Sequence, residues 1–433
     1  MQWSVAACLI LLSLPATGQT EAALTLEDAL REAHAANARL PLPAMDIASA
    51  REKQNEARAE RWLRVAVEGD FIYAPPSGYD PVLTNLGEFR FQAVGRQPIY
   101  DGGSRRAAVA KADAQLDAAT GRYRVEEKDL VLDVTSRYNE LLAARQEADA
   151  RREGIGRLES YRSLLRSRQA SGQAVAPDLL KTEVRLGSEQ ANIIEAEKRA
   201  DDARLALNDL MGRDPKGPLV IARLPTPDGS APAESAGWED VPEVSSARAD
   251  ARAADAALEI ARAERRPHLD LSADVGFWGS DTSRWVPLDL KLTNPDATFW
   301  DRVKRDAGYS ISLFFSWPIL DFGAIRARIA QADIALRQAT QKIEVARRDS
   351  RLKWEQARSA IGSLRREIEL LVKVAPAARD ASLEAESRYR GGAATSLEVL
   401  DAYASAIDAA VRLSDATSRY RIAEALFTRW GTP

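Results

Sequence analysis

Residues 317–323 read WPILDFG and stand between a strongly alternating apolar stretch and a long run rich in Ala, Arg, Gln and Leu. The same punctuation, QPIYDGG, occurs at 97–103. The recurrence extends far beyond the motif. At an offset of 220, Pro98, Ile99, Asp101, Gly103 and Arg106 return as Pro318, Ile319, Asp321, Gly323 and Arg326, and Ser167, Arg168, Gly172 and Leu180 return as Ser387, Arg388, Gly392 and Leu400. The chain is a duplication, and a long period of this kind governs every later reading. Upstream, Ala-Arg-Ala-Glu-Arg at 57–61 recurs at 261–265 with an offset of 204, so the second copy carries 220 − 204 = 16 extra residues between the two landmarks.

The motif marks a strand-to-helix transition. Pro318 withholds a ladder donor and fixes φ, Asp321 is placed to cap an incoming helix, and Gly323 lets the backbone pass closely. Pro98, Asp101 and Gly103 are expected to make the same transition in the first copy. Each copy then has one order: a helix (26–62, 241–266), two strands (64–73 and 87–97, 268–278 and 307–317), a long helix (104–170, 324–390), a turn at Gly172 or Gly391-Gly392, and a return helix (177–211, 396–430). Thr25 and Ser396 are read as N-caps, and Pro177 suits a first turn. The expected boundaries are a signal peptide at 1–18, a first repeat at 19–223, a Pro, Ser and Gly-rich linker at 224–240 and a second repeat at 241–433.

The long helices carry apolar residues at spacings of three and four, as in Leu130, Val134, Tyr138 and Leu141. Such a run is about 100 Å long at 1.5 Å per residue, more than one globular core spans, and a plain coiled coil is one way to use it. The strands discriminate. Val65, Val67, Phe71 and Tyr73 alternate with Ala66, Glu68, Asp70 and Ile72, and Tyr309, Ile311, Leu313, Phe315 and Trp317 alternate mostly with serines. An apolar face with aromatic ends opposite a polar face fits a membrane β-barrel, although a half-buried sheet in water shows the same pattern. Phe71, Tyr73, Trp278, Tyr309 and Trp317 are the expected aromatic girdle. Four strands leave two edges that hydrocarbon does not tolerate, so several chains must close one barrel. Two chains give eight strands and a filled interior, whereas three give twelve and room for a passage. Residues 74–85 and 279–306 become the outward loops.

Composition narrows the field further. The 433 residues are 45% hydrophobic and 29% charged, with mean hydropathy −0.32 and a formal net charge of −4, so there is no basic stripe for nucleic acid. An uncharged apolar run from Val5 to Pro15, followed by Ala16-Thr17-Gly18, reads as an export signal. It contains the single cysteine, Cys8, which superficially fits an acylation site although most of the apolar run follows it; the mature chain then has no disulfide. Past residue 18 no apolar run reaches 18 residues, so no transmembrane helix is expected. His34 and His268 are far apart, with no third ligand at metal spacing and no phosphate loop, so neither enzyme, metal nor cofactor is expected.

The duplicated Pro-Ile-x-Asp-x-Gly pattern after a strand, with Tyr-Arg-Gly-Gly and Ser-Leu-Glu-Val-Leu-Asp-Ala over 389–402, resembles the TolC family of outer-membrane efflux and secretion channels. That resemblance implies a mainly α protein with membrane β structure: a homotrimer with four strands per protomer in a shared twelve-stranded barrel, continuous with a long α-helical barrel. It implies a passive duct in the outer membrane of a Gram-negative bacterium, extending into the periplasm. It also implies two partners, a periplasmic adaptor docking near Gly172, Gly391 and Gly392 and an inner-membrane pump of RND or ABC type. Its periplasmic gate maps onto Asp178, Tyr389, Glu398 and Asp401, with two departures, Ala394 in place of an arginine and Pro177 in place of a threonine. Glu398 and Asp401, three copies each about an axis, would favour cations; as first-turn acids they would equally serve the helix dipole. The alternative to a duct is a periplasmic coiled-coil adaptor or scaffold.

Overall fold

The computed structural model describes residues 23–72, 87–172, 175–225, 237–280 and 284–431. The expected export signal, Tyr73, the whole of the expected first outward loop (74–85) and most of the expected linker lie outside them. The elements are α1 (Leu26–Ala36), α2 (Pro41–Ala59), β1 (Arg64–Ile72), β2 (Glu88–Tyr100), α3 (Ser104–Ala170), α4 (Ala176–Leu210), α5 (Pro242–Ala263), β3 (His268–Ser280), α6 (Leu288–Thr293), α7 (Phe299–Asp306), β4 (Ala307–Ser316), α8 (Ala324–Arg390) and α9 (Ser396–Trp430). The duplication is visible in the lengths: α3 and α8 have 67 residues each, and α4 and α9 have 35 each.

Each long helix serves two neighbourhoods. Near the strands α3 packs between α2 and α5, and α5 meets α8; beyond them α3 packs against α4 and α9, and α9 against α8. The protomer is thus a sheet of helices whose edges are α2 and α4 on one side and α8 on the other. Among the described residues three apolar clusters hold it. Leu130, Val134, Tyr138 and Leu141 of α3 pack with α1 and Leu207 of α4. Tyr161, Tyr389 and Tyr403 meet at the tip, and Ile361, Leu364 and Ile368 pack against Tyr420 and Phe427. Each such side chain, fully buried, contributes about 1.5–3 kcal/mol.

The expected first helix is two helices. Asn37 breaks it, because its side chain donates to Leu210 O at 3.0 Å and accepts from Arg39 N at 2.8 Å, and Pro41 then starts α2. Thr25 caps α1 as read, its hydroxyl accepting from Asp28 N. At α9 the cap is Thr395 rather than Ser396; the Thr395 hydroxyl accepts from Glu398 N at 3.3 Å while Ser396 is buried.

The sheet runs β1-β2-β3-β4, all antiparallel. Pro98 does not end its strand, since β2 continues to Tyr100 through an irregularity between Pro98 and Tyr100. The reason lies in the register: β1 begins at Arg64 opposite Arg96, so beyond that point β2 is paired only with β3 and a missing donor on its other side costs nothing. Both junctions then turn alike. Asp101 accepts from Gly103 N at 3.0 Å and Arg105 N at 2.8 Å; Asp321 accepts from Gly323 N at 3.1 Å and Ile325 N at 2.6 Å. Gly103 and Gly323 share φ 94°, a value that favours glycine.

Candidate functional site: the polar strand face and the helix tip

The register sorts the strand residues into two faces. Val67 lies opposite Ala93, Ala93 opposite Val275 and Val275 opposite Tyr309, so these share one face with Phe71, Phe91, Ile311 and Phe315. The other face carries Glu68, Asp70, Arg90, Arg96, Asp270, Asp274, Ser310 and Ser312. Its charges are cross-linked in place: Arg90 to Asp70 at 2.7 Å, Arg96 to Glu68 at 2.9 Å, and the Ser310 hydroxyl to Asp274 at 2.6 Å. Trp278, expected in the aromatic girdle, lies opposite Arg90 and therefore on this polar face. Phe71 and Tyr309 stand on the apolar face, and Trp317, just beyond β4, donates its indole N–H to Arg265 O at 3.2 Å.

At the far end of the long helices, the two hairpins meet around tyrosines. Tyr389 is buried, its ring edge-on to Tyr161 with centroids 5.2 Å apart. Arg168 of α3 lies over the same ring and donates to the Tyr389 and Arg390 carbonyls at 2.9 and 2.5 Å, closing the last turn of α8 from the other repeat. The Tyr403 hydroxyl donates to Glu386 at 2.6 Å. Burial pushes the Tyr161 and Tyr403 phenols up, and at Tyr403 the Glu386 carboxylate adds to it. Glu398 and Asp401 sit on the exposed side of α9, away from Val399, Leu400 and Tyr403, while Asp178 is half-buried in the first turn of α4. Gly172 and Gly392 both take positive φ, 73° and 79°, at the ends of α3 and α8. The expected gate residues thus fall on one tip of the molecule but in two environments, Tyr389 inside the protomer and the acids on its surface.

Residues 20–213 and 239–431 each match the family described as outer membrane efflux protein. The chain belongs to that family. CyaE of Bordetella pertussis is 28% identical over 274 residues, covering 59% of this chain and 56% of CyaE. OpmQ of Pseudomonas aeruginosa, a pyoverdine export outer membrane protein, is 27% identical over 323 residues, covering 72% and 63%. The chain therefore spans less than two thirds of the length of these two relatives. TolC of Escherichia coli K12 is 25% identical over 435 residues, 96% of this chain and 83% of TolC. The solved outer-membrane channel OprN superimposes with a TM-score of 0.83 at 20% identity, covering 94% of this chain and 89% of that one, which speaks for the fold.

Membership in the outer membrane efflux protein family places the chain in the outer membrane. The matches are to outer-membrane proteins and give no support to a periplasmic adaptor. What sequence reasoning missed at the tip is Arg168, together with Tyr161, Tyr403 and Glu386. A signal for Arg168 existed, because it recurs as Arg388, which donates to Ala393 O at 3.4 Å in the same turn that Arg168 closes. The tyrosines had none, since neither is repeated at the offset of 220.

Proposed function

We propose that three copies of this chain close a passive outer-membrane duct for export, its strands forming a twelve-stranded barrel and its helices a tunnel through the periplasm. The observation that carries the reading is the pair of open sheet edges. Among the described residues β1 pairs only with β2 and β4 only with β3, on a sheet whose apolar face belongs in hydrocarbon. The α8 edge likewise exposes Ile334, Val345, Leu352 and Leu370.

The duplication supplies the missing register. Inside the chain Gln97 lies opposite Leu271 and Arg96 opposite Ser272. Shifting the first residue of each pair by 220 and the second by 204 sets Trp317 opposite Val67 of the partner subunit, and Ser316 opposite Glu68 of the partner subunit. Apolar then meets apolar and polar meets polar. The same shifts turn the intrachain contact of Gly102 with Arg266 into a contact of Phe322 with Trp62 of the partner subunit. Phe322 and Trp62 are 94% and 76% exposed in the single chain.

The tips near Gly172, Gly391 and Gly392 dock a periplasmic adaptor, and an inner-membrane pump of RND or ABC type selects the cargo, whether drugs, metal ions or proteins. Asp178, Tyr389, Glu398 and Asp401 form the periplasmic gate, with Glu398 and Asp401 ringing the passage and favouring cations. The duct does no chemistry of its own.

The register is the sharpest test. A chain bearing Glu68→Cys and Ser316→Cys should form oxidant-dependent ladders that end at a trimer on a denaturing gel. Cross-linking that peaks instead at a pair shifted by two residues, or bands that stop at a dimer, would overturn the closure. In planar bilayers the purified protein should give ohmic pores, and Glu398→Gln with Asp401→Asn should reduce their cation preference; unchanged selectivity removes the acidic ring.

A further inference from the structure

Part of the lengthened second hairpin, α7, folds back on the sheet. α7 starts on a capping box between Thr298 and Asp301 and contacts β3 and β4. With the segment before α6 it encloses a groove of about 600 Å³. Its floor is Phe71, Phe89, Phe91 and Phe277, and its roof includes Phe299 and Val303.

All four floor residues lie on the lipid-facing side, because Phe71 is opposite Phe89 and Phe91 opposite Phe277 in the same register as Val67 and Val275. The groove therefore opens to the medium that covers that face. Its level is the strand ends remote from the long helices, hence the outer leaflet. The charged lining does not make the interior polar. Arg302 and Asp306 are both buried and paired at 3.1 Å, and the Arg302 guanidinium also lies over the Phe89 ring at 5.2 Å. Arg284 differs: it lines the mouth, is exposed, and enters no ion pair among the described residues. A groove of a few hundred Å³, apolar with one convergent charge, has the composition of a ligand site.

We propose that this groove is a lipid-binding site, taking one acyl chain of an anionic outer-leaflet lipid with its phosphate on Arg284. The aromatic floor and roof replace neighbouring chains of the leaflet, and the guanidinium fixes the headgroup by a charge-assisted hydrogen bond. The proposal rests on the outer-membrane placement of the sheet and not on trimer closure or transport, so conductance is recorded separately.

The test uses the purified, delipidated full-length protein titrated with phosphatidylglycerol or phosphatidylcholine, with bound lipid counted by native mass spectrometry. We expect saturation at one lipid per chain and a preference for phosphatidylglycerol of about threefold to fivefold, the scale of an exposed ion pair. Arg284→Gln should keep the lipid and lose the preference, and Val303→Trp should fill the groove and lose the lipid with conductance unchanged. Lipid counts in Val303→Trp equal to wild type, or binding that never saturates, overturn the site; equal retention of the two lipids by wild type overturns the role of Arg284. Should Val303→Trp not assemble, phosphatidylglycerol with brominated chains decides. The quenching that Trp285→Phe abolishes must saturate at the same stoichiometry, and a linear rise with lipid overturns the proposal.

Discussion

The two strand-to-helix junctions solve one backbone problem in two settings. Asp101 and Asp321 cap their helices through the same pair of amides, and the following Gly103 and Gly323 have the same φ. Between them stand Gly102 in one copy and Phe322 in the other, both with positive φ, 66° and 51°. The first junction is enclosed: a Cβ on Gly102 would lie 2.8 Å from Arg266 Cβ and 3.0 Å from Ala263 O, and Arg105 ties Asp101 to Pro98 O. The second is open, with nothing within 4 Å of a Cβ on Gly323. The difference teaches where the chain ends sideways: the first junction is covered by its own second copy, and the second lies at the open α8 edge.

The hairpins beyond the junctions differ in the same spirit, and here the largest effect is expected. Between α3 and α4, Arg151 bridges Glu147 at 2.9 Å and Glu189 at 2.8 Å, and Arg185 adds a second cation to Glu189, which is 1% exposed. At the offset of 220, Arg151 and Glu189 become Leu371 and the buried Ala409 in the second hairpin. Glu189→Ala leaves Arg151 with Glu147 alone and takes from Arg185 its bonded carboxylate in a largely buried network, and should cost about 3–5 kcal/mol. Adding Arg151→Leu, which gives the first hairpin the second hairpin's pairing, should recover most of it in denaturant titrations. No recovery would mean that the network fixes something other than packing.

Next in size is the glycine contrast. Gly102→Ala combines left-handed strain with overpacking against Arg266 and should cost about 2–4 kcal/mol. Gly323→Ala meets only the strain, about 1–2 kcal/mol. Equal losses in thermal unfolding would erase the distinction between an enclosed and an open junction.

How much of this was legible depends on which forces were local. The long helices were readable because Leu130, Val134, Tyr138 and Leu141 repeat at helical spacing, and the strand faces because alternation survives in Val65, Val67 and Phe71. The Asn37 break was not, since it depends on the Leu210 carbonyl arriving from 173 residues away. Pro98 was misread because the fate of a proline in a strand depends on which neighbour has already ended, a property of register. At the tip, the burial of Tyr389 follows from its contacts with Tyr161 and Arg168 across the two repeats, which no local pattern records.

The caps offer a smaller, pH-dependent contrast. The amides of Ile325 and Gly323 hold the Asp321 carboxyl below its ordinary value. At Asp101 burial opposes ionisation, but the Arg105 guanidinium and the amides of Arg105 and Gly103 outweigh it. A folded-state value below the unfolded one means that each cap contributes fully above the ordinary carboxylate range and is lost as pH falls through the lowered value. Asp101→Asn should cost about 1–2 kcal/mol at neutral pH and flatten the acid limb of the stability profile. Asp321→Asn should cost less, because among the described residues no arginine bonds to it and only the charge of Arg328 adds to the amides; the reverse order in paired melts would break the comparison.

The smallest effect is decided by its sign. Phe322 holds a left-handed conformation that costs a non-glycine residue about 1–2 kcal/mol, and in the single chain nothing offsets that cost, since the ring is 94% exposed. Phe322→Gly should therefore help the isolated chain, as Gly102 does in the first copy. If Trp62 of the partner subunit covers the ring, the same substitution removes an aromatic contact worth about 0.5–1.5 kcal/mol beyond the area it buries. The assembled protein should then separate into single chains at a lower temperature on a gel, while its helices melt no earlier by circular dichroism. An assembly at least as heat-resistant as wild type would mean that the strain at Phe322 is retained for something other than its neighbour.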